Sequence, residues 1–189
     1  MKRWFLVSVE EVSSRRNFWL WAPLLAFVIF FGVVASGLLK PDDRLIRSKM
    51  IGKPVPAFDL PAGAPGRTAF TSKDLQDGRP RLLNIFASWC IPCIAEAPIL
   101  AQLKAQGISI DAIAIRDRPE DVAAFLQRNG DPYDRIGSDV ASRVQLAMGS
   151  SGVPETFVVD GKGVIRYQHI GDIRADDLPE ILGELEKAK

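Results

Sequence analysis

A chain of 189 residues is long enough for one ordinary domain plus an appendage, and a formal net charge of +1 creates no field that would draw it to nucleic acid. Its two cysteines cannot build a disulfide scaffold, and with a single histidine, His169, they cannot complete a four-ligand Cys/His zinc site. No glycine-rich phosphate or dinucleotide motif and no His-Glu-x-x-His pattern occurs, so neither a metal nor another cofactor is expected.

Residues 1–17 are polar, with Lys2, Arg3, Arg15 and Arg16. Residues 18–39 carry no charge at all. As a helix this run would measure about 33 Å, enough to cross a bilayer, with Trp19 and Trp21 at one interface. The reading is a polar N-terminal tail (1–17), a transmembrane anchor in membrane lipid (18–39), a linker (40–50) and a soluble domain (51–189). A cleaved export signal is the competing reading, although its apolar part would be unusually long. Arg15-Arg16 also looks like a twin-arginine signal, but the following stretch is more apolar than such signals usually are. Lys40, Arg44, Arg47 and Lys49 balance the near-end charges, so charge bias alone does not orient the anchor.

Proline and glycine recur through residue 66 and favour turns over regular structure. The apolar run 81–87 predicts a buried strand. Helical spacing follows from Pro92 to about Gln106, closed by Gly107. A second buried strand is predicted over 108–115, and a helix opens at Pro119 and ends at Gly130. A short segment at 133–136 and a helix over 138–148 come next. Residues 156–159 and 164–167 flank Asp160-Gly161-Lys162-Gly163 as a hairpin, and 178–186 form a last amphipathic helix. Alternating strands and helices followed by an antiparallel pair predict an α/β fold, a mixed sheet flanked by helices.

The chemistry converges on Cys90-Ile91-Pro92-Cys93. Between a buried strand and a helix, Cys90 sits where unpaired N–H groups and the positive end of the helix dipole stabilise a thiolate. The thiolate is the attacking species in disulfide exchange, and Cys93, one turn on, can resolve the mixed disulfide. Pro92 suits a first helical turn, and Trp89 shields the pair.

Trp89-Cys90-Ile91-Pro92-Cys93 resembles the active site of the thioredoxin superfamily, which implies that fold. Pro98 matches the proline that kinks its active-site helix, and Val153-Pro154 looks like its cis-proline loop. Residues 51–58, 83–90, 152–157 and 160–172 further resemble the DsbE/CcmG family of thiol:disulfide proteins of cytochrome c maturation. The resemblance implies an inner-membrane protein with residues 1–17 in the cytoplasm and the dithiol domain, 51–189, in the periplasm. Its implied clients are apocytochrome c, whose Cys-x-x-Cys-His must be reduced before haem attachment, or dedicated maturation proteins. A membrane thiol transporter would supply the electrons.

The resemblance also implies active-site roles for Glu96, three residues after Cys93, and Glu155, next to Pro154. Both are expected to approach the dithiol and, as carboxylates, to raise its thiol pKa and favour electron donation. Asn84 stands where general thioredoxins carry a buried Asp and cannot accept a proton, which moves acid–base work to the two glutamates. Arg116-Asp117 departs from the Tyr-Lys usual at that place in the family. Competing readings are a periplasmic thiol reductase for other clients, and a thiol- or metal-binding module without turnover.

Overall fold

The computed structural model describes residues 11–38 and 48–189, with side chains described over 21–37 and 48–189. The chain divides into two units between Arg44 and Leu45. In the first, α1 (Glu11–Leu38) is helical through Pro23. Its backbone helix begins within the expected tail, because helical hydrogen bonding does not require apolar side chains. From Trp21 to Val34 its large side chains are apolar and exposed, and Ser36 satisfies its hydroxyl on the Val33 carbonyl at 2.8 Å. Among the described residues no helix is long and apolar enough to cross a membrane. The side chains described in α1 cover about 25 Å of helix, against roughly 30 Å of hydrocarbon core. The expected anchor is thus described only in part, and residues 1–10 and 39–47 of the expected tail, anchor and linker lie outside the described residues.

The second unit is built on a five-stranded sheet of order β5-β4-β3-β6-β7. These strands are β3 (Arg81–Phe86), β4 (Ile110–Ile115), β5 (Ile136–Asp139), β6 (Glu155–Val159) and β7 (Ile165–Ile170). A smaller antiparallel pair, β1 (Asp59–Leu60) with β2 (Phe70–Thr71), precedes them. The helices are α2 (Ile91–Ala105), α3 (Pro119–Asn129), α4 (Arg143–Ala147) and α5 (Leu178–Lys187). Strands β3, β4 and β5 are parallel, whereas β6 and β7 run antiparallel, so the sheet is mixed as the sequence predicts.

Strand β3 lies at the centre, and every one of its residues is buried. Asn84 pairs with Ala112 on one side and Thr156 on the other, so their side chains share a face. That face takes α2, through Glu96 on Asn84, and α3, through Phe125 against Phe86. On the other face β1 and β2 close over Gly137, where an added Cβ would lie 2.9 Å from Leu60.

Two predicted boundaries move. The turn-rich stretch before residue 72 contains the β1–β2 pair, and the helix predicted from Ser138 begins only at Arg143. Gly137, Ser138 and Asp139 instead pair with β4. The buried Asp139 carboxylate accepts the N–H groups of Arg143 at 2.9 Å and Gln145 at 3.0 Å, fixing the helix start four residues downstream.

The β6–β7 hairpin is held by Asp160, which accepts the N–H groups of Lys162 and Val164. Here Gly161 passes against the backbone of Gly78, and a Cβ would come to 2.3 Å from the Gly78 carbonyl carbon. Gly161→Ala is expected to destabilise the domain by about 1–3 kcal/mol through forced backbone displacement, measured as a lower midpoint in urea denaturation.

Candidate active site

The loop 87–90 carries the chain from the C-terminal end of β3 into α2. Cys90 N–H closes a turn on Ala87 O at 3.2 Å. Ser88 donates its N–H and hydroxyl to the Asp117 carboxylate, and the Trp89 indole N–H reaches Arg116 O at 3.3 Å. The loop is therefore strapped to the segment after β4. Cys90 is the N-cap of α2, and its Sγ accepts the Cys93 N–H at 3.2 Å. The two sulfurs form a disulfide. Both are almost fully buried, while Trp89, Ile91 and Pro92 on the rim are exposed. Pro98 lies within α2; lacking an N–H, it leaves the Ile94 carbonyl without its helical partner.

The antiparallel pairing of β6 with β3 sets Glu155 beside Ile85. This brings Val153-Pro154, joined by a cis peptide bond, to the end of β3 from which the dithiol loop departs. Trp89 and Val153 line a common recess of about 320 Å³.

Below the dithiol, Glu96 is fully buried one turn beyond Cys93. Its carboxylate accepts from Asn84 Nδ2 at 3.0 Å and from the Ile173 N–H at 3.2 Å. Burial dominates these two donors, and with the nearby Asp172 charge it pushes the Glu96 carboxyl up to about 7. Asn84 also donates to Thr156 Oγ1 at 2.9 Å and accepts from the Tyr133 hydroxyl at 2.9 Å. Both amide hydrogens and the oxygen of Asn84 are engaged, so its orientation is fixed with nitrogen toward Glu96. An Asp at this position would set a second buried carboxylate against Glu96. Burial, then the Glu96 charge, hold the Tyr133 phenol well above its usual range, so it stays a neutral donor.

Glu155 is placed differently. One of its oxygens accepts Ser151 N–H at 2.8 Å, Ser151 Oγ–H at 2.7 Å and Gly152 N–H at 3.1 Å, and the other accepts Gln168 Nε2 at 2.9 Å. Strand alternation puts Glu155, opposite Ile85, and Glu96, against Asn84, on opposite faces of the sheet. The structure brings Asn84 and Glu96 together and sets Trp89 and Val153 on one recess, but ties Glu155 into the cis-proline loop. His169 faces the Asp172 carbonyl at 3.4 Å and Asp177 at 3.7 Å. Tyr133 and Thr156 are members of the site that sequence reasoning missed. Thr156 could have been found from the pairing register; nothing local marks Tyr133.

A redoxin family match covers residues 50–185. The chain is 40% identical over 155 residues to the thiol:disulfide interchange protein HelX of Rhodobacter capsulatus, covering 82% of this chain and 87% of that protein. It is 37% identical over 158 residues to DsbE of Escherichia coli K12, covering 79% and 85% respectively. This chain belongs to the DsbE/HelX family of thiol:disulfide interchange proteins. It is a disulfide oxidoreductase, with Cys90 and Cys93 as its redox pair. Among solved structures, a DsbE-type protein of Chlorobium tepidum superposes with a TM-score of 0.56 at 27% identity, covering 71% of this chain and 97% of that one. The fold is thioredoxin-like, as the motif implied. Within this DsbE-family framework, the buried Asn84–Glu96 pair lies one helical turn beyond Cys93.

Glu96 titrates near 7 when folded and near 4.5 when exposed. Between those values the folded chain holds the extra proton, so its stability falls as pH rises through the window, by up to about 3 kcal/mol. Urea denaturation of the oxidised protein at the two ends of this window should show the loss, and Glu96→Gln should remove most of it. Tyr133→Phe keeps the ring stacked on Phe86 but strips the Asn84 oxygen of its donor. It is expected to cost about 1–2 kcal/mol and to raise the Glu96 titration midpoint, followed by carboxyl carbon NMR, as the freed amide turns its oxygen toward Glu96.

Proposed function

We propose that this chain is a membrane-anchored reductant in the periplasm, acting on apocytochrome c or its maturation partners. The observation that carries the direction of electron flow is the buried Glu96 carboxylate beneath a dithiol capped by a helix N-terminus. In the reduced protein the Cys90 thiolate attacks one sulfur of a client disulfide, forming a mixed disulfide and expelling one client thiolate. Cys93, deprotonated, then attacks Cys90 Sγ, expelling the second client thiolate and closing the Cys90–Cys93 bond. Two electrons pass to the client, and two protons follow to its thiols. Negative charge on Glu96 opposes a thiolate close by, which destabilises the reduced pair and strengthens it as a donor. Glu96 takes the acid–base role at the sulfurs, Asn84 orients it, and Glu155 positions the Val153-Pro154 loop. The dithiol is the only redox group required.

Residues 18–39 hold the domain to the inner membrane, with 1–17 in the cytoplasm, 40–50 as linker and 51–189 in the periplasm. The charge-free run and the apolar surface of α1 support this layout. A membrane thiol transporter returns electrons to the Cys90–Cys93 disulfide. The resemblance to the cytochrome c maturation family supports the client class. A strain lacking the chain should accumulate apocytochrome c with its haem-site cysteines oxidised; normal holocytochrome c would point to other clients.

Cys93→Ala is expected to trap the client on Cys90 as a mixed disulfide that Cys90→Ala cannot form, read on non-reducing gels. Equilibration with glutathione should show Glu96→Gln raising the reduction potential by roughly 10–30 mV, equivalent to about 0.5–1.4 kcal/mol. An unchanged value would remove Glu96 from the mechanism, and a strongly oxidising wild-type potential would reverse the proposed direction.

A further inference from the structure

Beside the dithiol, the loop carrying Trp89, the segment after β4 and helix α3 enclose an open groove of about 410 Å³. Three arginines line it: Arg116, Arg118 and Arg128. Two carboxylates line it too. Asp121 is held by Arg118 at 2.7 Å. Asp117 is buried, with its oxygens accepting from Ser88 and the Arg118 N–H. Among the described residues, Arg116 and Arg128 have no carboxylate partner, and Glu120 does not line the groove. The guanidinium of Arg116 is instead directed by Nε donating to Ser142 Oγ at 3.2 Å.

The backbone of Arg116 adopts φ 48°, a left-handed conformation that side-chain-bearing residues avoid unless their surroundings impose it. Here the indole of Trp89 bonds its carbonyl and Asp139 O accepts its N–H at 3.4 Å. Arg116 and Trp89 also line the second recess, the one that reaches Val153 of the cis-proline loop and the exposed Leu146. Trp89, next to Cys90 in the chain and 56% exposed, thus stands between a recess of mixed polar and apolar lining and a groove carrying two guanidinium groups without a carboxylate partner.

We propose that this surface selects client segments carrying a carboxylate within a few residues of the reacting cysteine. The acidic residue meets Arg116 and Arg128, and a neighbouring apolar side chain covers Trp89 in the recess beside Val153. The inference rests on exchange at Cys90 as written above and names the chemistry of the client rather than its identity. Charge at such a rim acts mainly on the encounter rate and makes it salt-dependent.

The test uses the reduced full chain and two peptides, each with one internal disulfide, identical except for two Asp or two Lys close to the bridge. Each reduction rate is divided by the rate with dithiothreitol, which removes the peptides' own difference in reactivity. The Asp peptide is expected to react about fivefold faster at low ionic strength, with the ratio approaching one at about 0.5 M salt. The double variant Arg116→Gln, Arg128→Gln should abolish the preference, whereas Arg116→Lys, Arg128→Lys should retain it. Equal normalised rates for the wild-type protein, or faster reaction of the Lys peptide, would overturn the inference and leave exchange at Cys90 intact. No reaction with either peptide would instead overturn the exchange reading on which it rests. Where a variant folds poorly, the wild-type protein alone decides: an Asp-to-Lys rate ratio that does not fall with salt would also overturn the inference.

Discussion

The hydrogen bond from Asn84 to Glu96 joins the central strand to the active-site helix beneath the two sulfurs. A carboxylate with no exposed surface is costly, and it persists there because Asn84 and the Ile173 N–H receive it. Asn84 in turn needs Thr156 from β6 and Tyr133 from the segment before β5. Four parts of the chain must therefore be in place before one acid can sit under the dithiol. The raised pKa of Glu96 is the outcome of that compromise: two donors hold the group there, but they do not offset the burial that favours its neutral form.

The resemblance suggested two glutamates converging on the cysteines. The sheet separates them, because adjacent positions on a pleated strand face opposite ways. Thr156 points toward Asn84, so Glu155 must point to the other face, where Gln168 and the Ser151–Gly152 backbone take up its oxygens. The two acids then differ in kind. Glu96 accepts two hydrogen bonds, whereas Glu155 accepts four.

Much of this framework was legible because its signals are local. The apolar run before Trp89, Pro92 in the first turn and Gly107 at the end of the helix each constrain a few neighbouring bonds, and they place β3, α2 and the dithiol between them. The mixed sheet followed from the order of elements. What escaped depends on distant partners. Asp139 delays α4 by accepting N–H groups that only the folded loop presents. Strands β1 and β2 are too short for any periodicity to show. Tyr133 joins the site only because its loop returns under Asn84, forty-nine residues away in sequence.

The bracket formed by Glu155 has an effect on recognition. A free loop that became ordered only on meeting its client would lose about 1–2 kcal/mol of backbone entropy per residue at that moment. Residues 151–152 are already fixed by the Glu155 carboxylate, and the wall of the recess beside Trp89 is built from them. The entropy is surrendered during folding rather than at each encounter. Such preorganisation suits a protein that must hold a client briefly, exchange two sulfurs and let it go: weak contacts suffice, because none of their energy is consumed in shaping the surface that makes them.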